Sequence, residues 1–452
     1  MNKKIEIWIL FLFVLLSFPL TVFFGILVRD GMLGEKRFGP FSKTALFLSE
    51  IPANIKKAIK QSSDVQVIDR FPLLSGFNGT PNTNQSYLIL SRYDGDLKEG
   101  IVELVDLKNF NILHTWNPDI NQFFKSLEKI DEFKYVHRDH NNSRTTLSNP
   151  NLTKDGGLVF NSSPLMKIDS CSNLVFQNTK DRFHHSIEID IEENIWVPSY
   201  IYPQSLPVEK VGRDLIEDGG YYDDAIVKLS PDGEIIFRKS VSQIFIDNGL
   251  EYLLFAIGDR NFTKDPIHLN DIQPVNFDGE FWKKGDVFLS LRHQSMILLY
   301  RPSNDKVIWI GTGPFFHQHD VDILNDHTIS VFNNNSKDFV GGDVVDGHNT
   351  VVNFDFKTRQ YSTYLNETLI KNDVRTITSG ISQILPNGDL FVEETDHSRK
   401  LYFDADSSLR WSYVNRADDG NIYRVGNSRI LYKNEDINKI ENFLLSRGEC
   451  ND

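Results

Sequence analysis

Three histidines stand at matching places in the sequence, each at the start of a short alternating run of apolar residues. They are His185 in HSIEIDI, His268 in HLNDIQPV and His319 in HDVDIL. An imidazole with an ordinary pKa near 6.5 is mostly neutral at pH 7, so it can attack an electrophile, move a proton or bind a metal. Because the chain has only 12 histidines, three in one register favour a shared site over three unrelated polar residues.

Two further polar side chains belong to the same group. Asn270 lies two positions after His268, on the same face of the predicted strand. Arg292 ends the next apolar run, in LSLRHQS. Guanidinium and neutral imidazole N–H groups suit the oxygens of sulfate or phosphate. The set therefore predicts an anion site.

A metal centre is the alternative for the same histidines. His317 stands two residues before His319, so His185, His268, His317 and His319 together could ligate a cation. Against this, the register supplies no carboxylate ligand, and Arg292 would repel the ion. The repeat also begins its strand at His319, which leaves His317 in the preceding loop.

The elements that must position these residues are strands. From about residue 67 the sequence consists of short alternating runs bounded by Gly, Asn and Asp, which is typical of antiparallel sheets. A four-strand order recurs in it. The copies span 86–116, 152–177, 185–240, 268–311, 319–365 and 379–414. Six such sheets arranged radially make a six-bladed β-propeller of four-stranded antiparallel blades, an all-β fold.

The propeller explains how residues far apart in sequence can meet. The first strand of each blade lines a central channel, so residues equivalent by the repeat converge on one axis. Three blades would then direct an imidazole into the same volume. In the last blade the matching place is Ser379-Gly380.

The N-terminus predicts a transmembrane helix. Residues 7–28 carry no charge and are long enough to cross the roughly 30 Å hydrocarbon core of a bilayer. The run exceeds the apolar part of a cleaved signal peptide, which favours an uncleaved anchor. Lys3 and Lys4 favour a propeller outside the cytoplasm, in a periplasmic or other extracytoplasmic space, although three positive residues after the run oppose this orientation.

The predicted organisation is an anchor at 1–28, a connector with short helices at 29–66 and the propeller at 67–452. A net charge of -14 without a basic run argues against nucleic acid as a partner. Cys171 and Cys450 form no Cys-x-x-Cys motif, so a zinc-thiolate or redox site is excluded. In an oxidising compartment they could form one disulfide; otherwise they are two unpaired thiols.

Three stretches resemble a known family: HLNDIQPV, then GDVFLSLRHQSMILLYRPSNDKVIWIG, then FFHQHDVDIL followed by ISVFNNN. They resemble bacterial arylsulfate sulfotransferases of the type that does not use 3′-phosphoadenylyl sulfate. The resemblance covers about residues 150–415. It implies an exported six-bladed propeller that moves a sulfuryl group from an aryl sulfate to a phenol through a covalent sulfohistidine. It implies neither a nucleotide nor a metal cofactor.

The resemblance also implies roles for residues of this chain. His319, in the Gln-His of FFHQHD, becomes the candidate nucleophile. Arg292, His268 and Asn270 would hold the non-bridging oxygens of the sulfuryl group and stabilise charge in the transition state.

His185 would act as general acid and base, with the adjacent His184 as the alternative for that position. Thr395, after GDLFVEE, is a candidate hydroxyl contact, and His317 is an additional imidazole beside the nucleophile. Two other functions stay open at this point, namely a His-ligated metalloenzyme and a non-catalytic, membrane-anchored propeller that binds an anionic ligand. The sequence makes no prediction of the oligomeric state.

Overall fold

The structure is a computed structural model that describes residues 7–33, 37–59, 65–125, 141–211, 220–256, 262–339, 342–446 and 450. It divides into two compact units, Met1–Asp64 and Val65–Asp452.

The N-terminal unit consists of two helices, α1 (Ile7–Leu33) and α2 (Pro40–Ile59). Within α1, the segment Phe11–Asp30 is long and apolar enough to cross a membrane, a property that anchors share with signal sequences. The helix continues past the predicted end of the anchor at residue 28. Lys3 and Lys4, on which the predicted orientation depends, lie outside the described residues.

The second unit is built almost entirely of strands. The strands are, in chain order, β1 Gly76–Gly79, β2 Tyr87–Asp94, β3 Glu99–Asp106, β4 Asn111–Trp116, β5 Ser148–Leu152, β6 Leu158–Asn161, β7 Leu165–Ile168, β8 Leu174–Asn178, β9 Arg182–Phe183, β10 Glu188–Ile189, β11 Ile195–Tyr200, β12 Asp224–Leu229, β13 Ile235–Ser240, β14 Leu269–Pro274, β15 Val287–Leu291, β16 Met296–Arg301, β17 Lys306–Thr312, β18 His319–Ile323, β19 Thr328–Asn333, β20 Ser336–Phe339, β21 Gly342–Val345, β22 Thr350–Asp355, β23 Gln360–Tyr364, β24 Ile381–Ile384, β25 Leu390–Glu394, β26 Arg399–Phe403, β27 Leu409–Val414 and β28 Arg429–Leu431. The described helices are α3 Ile120–Lys125, α4 Val208–Val211, α5 Val241–Asp247, α6 Tyr252–Phe255, α7 Asn366–Lys371 and α8 Asn434–Ser446, with a 3-10 turn at Thr395–His397.

These strands form a six-bladed propeller of four-stranded antiparallel sheets, which confirms the predicted fold. Blade II is β5–β8, blade III is β10–β13, and blade IV is β14–β17. In blade III the short strand β9 also pairs with β11. Blade V is β18, β19, β22 and β23, with the hairpin β20–β21 inserted between its second and third strands.

The ring closes through both ends of the propeller sequence. Blade I has the order β28-β2-β3-β4, so its innermost strand comes from the C-terminal part of the chain. Blade VI is β24–β27, and β1 adds a fifth strand at its outer edge with Gly76 opposite Val414. Gly79 is required there, because a Cβ atom would lie 2.3 Å from the carbonyl oxygen of Arg410.

Hydrophobic packing runs around the ring, with one large cluster of described residues between each pair of adjacent blades. Strand β2 shows how alternation builds it. Tyr87 and Ile89 pack toward blade II, whereas Leu88 and Leu90 pack toward blade VI. Each fully buried Leu or Ile contributes about 2 kcal/mol, so a strand in the middle of a blade, such as β2, stabilises two interfaces.

Polar contacts fix the inner strands along the channel. The carboxylate of Asp271 in blade IV accepts the backbone N–H of Val321 in blade V at 2.7 Å. Asp320 of blade V accepts the N–H of Ser382 in blade VI at 2.7 Å in the same way. Because each side chain bonds the backbone of the next blade, the inner strands are held in a defined register around the axis.

The two cysteines are bonded to each other in the structure. Cys171 lies in the turn between β7 and β8, and its Cα atom is 5.4 Å from that of Cys450. Cys450 follows α8 by a few residues, so the disulfide joins the C-terminal segment to blade II.

Candidate functional site

The central channel contains a cavity lined by the beginnings of the inner strands. His185, Asn270 and His319 line it where these strands begin, together with Ser379 and Gly380. The three blades that carry the predicted histidines therefore do face a common space.

His268 and Arg292 are not among the residues that line this cavity, but the ring of His268 adjoins that of His185, so the three imidazoles form a cluster. The ring centroids of His185 and His268 are 5.0 Å apart, and those of His185 and His319 are 6.4 Å apart. His185 and His268 each have φ of 57°, a left-handed backbone conformation that is uncommon outside glycine and that recurs at functional sites.

His319 is held in one tautomer by Asn334. The side-chain N–H groups of Asn334 donate to the carbonyl oxygens of Thr376, at 3.1 Å, and of Ser379, at 2.7 Å. Carbonyls only accept, so the amide oxygen of Asn334 must face His319, whose Nδ1 lies 2.6 Å away. The proton is therefore on Nδ1, and the lone pair of His319 is on Nε2.

The lone pair of His319 faces the protein backbone at the matching place in blade VI. The backbone N–H of Ser379 points to Nε2 of His319 at 3.2 Å. Burial is the main cause that lowers the pKa of His319 to about 3, with the charge of Arg292 acting in the same direction. The imidazole is consequently neutral at pH 7.

Arg292 and His268 are linked by a hydrogen-bonded chain that the sequence did not indicate. Nη1 of Arg292 lies 2.9 Å from Nε2 of His293, and Nδ1 of His293 lies 2.7 Å from the carbonyl oxygen of Asp265. The carboxylate of Asp265 contacts Nδ1 of His268 at 2.6 Å. Burial alone would raise the pKa of Asp265, but the hydrogen bond and charge of His268 outweigh it and lower this pKa.

His184 and His185 are in direct contact. Their Nδ1 atoms are 2.7 Å apart, and Nε2 of His184 lies 3.4 Å from the carboxyl of Asp224. Burial lowers the pKa of His184 to about 3 and that of His185 well below its ordinary value. The ring of His184 stacks on Tyr200 at 3.9 Å. His185 therefore lines the channel, and His184 supports it from the side.

Asn270 and Thr395 occupy different positions relative to the cavity. Asn270 is buried in its wall, where its N–H donates to the carbonyl of Gln318 at 2.8 Å and its Oδ1 has no hydrogen-bond partner. Thr395 accepts the N–H of Gly380 at 3.0 Å and donates to Asn427 at 3.1 Å. The Thr395 hydroxyl is thus engaged by the protein.

His317 lies apart from the channel cavity. It lines a second cavity with Asp265, His293 and Gln294, and its ring centroid is 6.1 Å from that of His293. His317 and His319 therefore face different spaces, as the predicted strand start at His319 requires.

A metal centre is not what these contacts favour. Asp265, His268 and His293 bring their ligand atoms within 4.8 Å of one another. However, Nδ1–H of His293 donates to a carbonyl, and its Nε2 accepts from the guanidinium of Arg292. His293 therefore has no lone pair to offer a metal, and the adjacent cation opposes one.

Sequence reasoning missed the groups that orient the histidines. Asn334 stands in the quoted ISVFNNN stretch, and Asp265 and His293 adjoin His268 and Arg292 in sequence. Only the proximity of Asp265 to His268, three residues apart, could have indicated a contact. The bond between Asn334 and His319 joins residues that only the sheet brings together.

Comparisons with known proteins bear on the family and on the fold. The sequence profile of arylsulfotransferase (ASST) matches residues 150–416 of this chain. A search of curated protein sequences found no match.

Several solved structures resemble the chain at low identity. A protein of unknown function from Bacteroides caccae is 12% identical with a TM-score of 0.44, covering 77% of this chain and 100% of its own. The Dos1 propeller is 11% identical with a TM-score of 0.38, covering 78% and 81%, respectively. A streptogramin B lyase is 10% identical with a TM-score of 0.35, covering 78% and 97%. These values are too low to bear on function. The profile match, by contrast, spans more than half of the chain and confirms the resemblance, so this protein belongs to the arylsulfotransferase family, a family of sulfotransferases.

Proposed function

We propose that this protein transfers a sulfuryl group from an aryl sulfate to a phenol by a ping-pong reaction through a sulfohistidine at His319. The observation that carries this proposal is the orientation of His319. Asn334 holds the proton on Nδ1, which leaves the Nε2 lone pair of a neutral, buried imidazole directed into the site. A nucleophile needs an unprotonated pair of electrons, which this arrangement supplies at neutral pH. The Ser379 N–H that contacts Nε2 must turn away before the attack.

In the first half-reaction, Nε2 of His319 attacks the sulfur of the aryl sulfate. The N–S bond forms while the bond from sulfur to the aryl oxygen breaks, and the phenolate leaves with the bonding pair. The Nδ1 proton stays in place against Asn334, so the sulfohistidine needs no proton loss. In the second half-reaction a phenol oxygen attacks the same sulfur and the N–S bond breaks.

Charge on the sulfuryl oxygens would be balanced by fixed donors. Arg292 is buried beside the cavity, and its contact with His293 restricts the orientation of its guanidinium. The backbone N–H of Ser379, which faces Nε2 of His319, would turn to a sulfuryl oxygen once that nitrogen is bonded to sulfur. His268, held by Asp265, and Asn270 complete the set. Preorganised donors of this kind stabilise a transition state without reorganisation.

His185 is the candidate acid and base. Its ring lies between those of His268 and His319, and its Nδ1 contacts His184. The neutral imidazole of His185 can take the proton of the incoming phenol, and the imidazolium so formed can pass that proton to a departing phenolate. Each cycle would return His185 to its starting protonation state.

The test of the proposal is His319→Ala, with His327→Ala as the matched control. His327 lies in the turn between β18 and β19, at the opposite end of the strand that His319 begins. We expect His319→Ala to lower turnover of 4-nitrophenyl sulfate with phenol by at least about 10³-fold, and the control to keep it. A brief pulse with the donor should leave a sulfuryl adduct on His319, measured by mass spectrometry. Full turnover by His319→Ala would refute the assignment.

The propeller is proposed to lie outside the cytoplasm. The support is the apolar helix that precedes it and the disulfide between Cys171 and Cys450, which is the chemistry of an oxidising compartment. The test compares protease cleavage of the propeller in intact cells with its cleavage in permeabilised cells. Cleavage of the propeller only after the cytoplasmic membrane is opened would contradict it.

A further inference from the structure

A pair of stacked tyrosines adjoins the histidine cluster and has no part in the reaction described above. Tyr200 ends β11, and Tyr222 precedes β12. Their ring centroids are 4.8 Å apart with an interplanar angle of 24°, and Tyr200 also stacks on His184. His184 in turn contacts His185. The stacked rings of Tyr222, Tyr200 and His184 therefore lead to His185, whose ring centroid is 6.4 Å from that of His319, the candidate nucleophile.

Two cations flank the same tyrosines. The guanidinium of Arg182 lies 5.6 Å from the ring centroid of Tyr200 and 5.9 Å from that of Tyr222. The ammonium of Lys264 lies 5.9 Å from the Tyr222 ring. Arg182 is half-buried, and its guanidinium makes no hydrogen bond or ion pair with the part of the chain that the structure describes. Among the described residues, Arg182 therefore places a positive charge against an aromatic wall without an anion paired to it.

The nearby carboxyl groups do not neutralise this charge. Burial, and then the charge of Asp265, raise the pKa of Asp224 well above its ordinary value, which favours its neutral form. Asp265 is already engaged by His268 at 2.6 Å. Neither of these two carboxyl groups therefore forms an ion pair with Arg182.

We propose that Arg182, Tyr200, Tyr222 and Lys264 form a subsite for the aryl group of a substrate that carries an anionic substituent, a hydroxyaryl carboxylate. The inference rests on the proposed function for the identity of the transferred group. Both faces of Tyr200 are already covered, by His184 and by Tyr222, so the face of Tyr222 that points away from Tyr200 is the one that suits an aromatic ring. The guanidinium of Arg182 suits a carboxylate by paired hydrogen bonds. Because donor and acceptor alternate at one nucleophile in a ping-pong reaction, the same subsite serves the aryl group of either.

The experiment compares 4-hydroxybenzoate with its neutral methyl ester as acceptors, with 4-nitrophenyl sulfate as the donor. The measured quantity is the ratio of kcat/KM for the acid to that for the ester. We expect a ratio above about 10 for the wild-type protein, and a fall of about tenfold in Arg182→Gln. Lys264→Gln should lower it less, because Lys264 is exposed. Arg359→Gln, at an exposed turn of blade V, is the control and should keep the ratio.

A wild-type ratio near one, or a ratio that Arg182→Gln preserves, would overturn the subsite while leaving the sulfotransferase assignment intact. Arg182→Lys, which keeps the charge but not the paired donors, should give an intermediate ratio and guards against a folding defect in the glutamine variant. If no acceptor is sulfated at all, calorimetric titration with 4-hydroxybenzoate decides separately. A Kd about tenfold weaker in Arg182→Gln supports the subsite, and an unchanged Kd refutes it.

Discussion

The inner strands carry opposite chemistry along their length. Where they begin, the cavity is lined by the imidazoles of His185 and His319. A few residues further on, the same cavity is lined by carboxyl groups, which belong to Glu188, Asp271, Asp320 and Asp322. Burial acts on both regions in the same sense, because it disfavours whichever form is charged. It lowers the pKa of His319 to about 3 and raises those of Asp271 and Asp322 to about 7.

Under the proposed function, this difference would let an anionic substrate approach the channel. Neutral imidazoles neither repel nor trap a sulfate ester, and the raised pKa values of Asp271 and Asp322 reduce the negative charge that these groups carry near pH 7. Fixed positive charge is contributed by Arg292 at the histidine region and by Arg429 at the carboxyl region, where Arg429 pairs with Glu188. Arginine would then bind the anion while the candidate nucleophile stays uncharged.

Among the variants that test this contrast between the histidine and carboxyl regions, Asn334→Ala should have the largest effect. The substitution removes the acceptor that keeps the proton of His319 on Nδ1, so part of the population would present a protonated Nε2 to the donor. We expect kcat/KM for 4-nitrophenyl sulfate to fall by about 10- to 100-fold. The matched control is Asn353→Ala, at a polar residue of blade V outside the channel. Its kcat/KM should stay within twofold of the wild-type value, which corresponds to a change in activation free energy of ~0.4 kcal/mol or less. Equal activity of the two variants would refute the orienting role.

A smaller effect is expected from Asp322→Asn on stability. The folded-state pKa of Asp322 is raised, because of burial and then Glu188, to about 7. The folded protein therefore binds this proton more tightly than the unfolded chain, and stability falls as pH rises from about 4 to about 7. Asparagine cannot ionise, so the variant should melt about 1–3 °C higher than the wild type at pH 8, and this gain should vanish at pH 4. The exposed Asp232→Asn is the control.

An equal gain in melting temperature at pH 4 and at pH 8 would show that ionisation of Asp322 is not the cause of the gain. The measurement is thermal unfolding followed by circular dichroism at constant ionic strength.

The smallest change is expected in the pH dependence of the first half-reaction. An imidazole with an ordinary pKa near 6.5 would be only about 3% neutral at pH 5, and its reaction would slow by about 25-fold between pH 7 and pH 5. With its pKa lowered to about 3, His319 stays neutral across this range. Single-turnover release of nitrophenolate should therefore change by less than about twofold. A decrease of about 25-fold would mean that His319 titrates normally in the folded protein.

The strand repeat could be predicted because apolar middle strands, such as β6, β15 and β25, are buried on both faces. The outer strands, such as β13 and β23, alternate between exposed and less exposed positions. The closure of blade I was not readable. Its inner strand, β28, has three residues and lies far from the rest of its blade in sequence, so no local pattern marks it. The register likewise predicted that His185, His268 and His319 meet.

The orientation of those histidines depends on hydrogen bonds that no spacing encodes. Asn334 fixes the proton of His319 only because carbonyls of blade VI hold its amide group from the other side. His317 is the opposite case. It is close to His319 in sequence, which suggested a shared role, but the fold places it at a different cavity. Position in a repeat therefore predicts proximity, while proton placement depends on tertiary contacts.

The C-terminal origin of β28 also has a consequence for biosynthesis. A chain released from the ribosome before Arg429 would already contain every histidine of the site, yet blade I would lack the strand that faces the axis. The surrounding blades would then have no closed ring to hold their inner strands in register. The chain can therefore assemble its reaction centre on a closed ring only after β28 has been made.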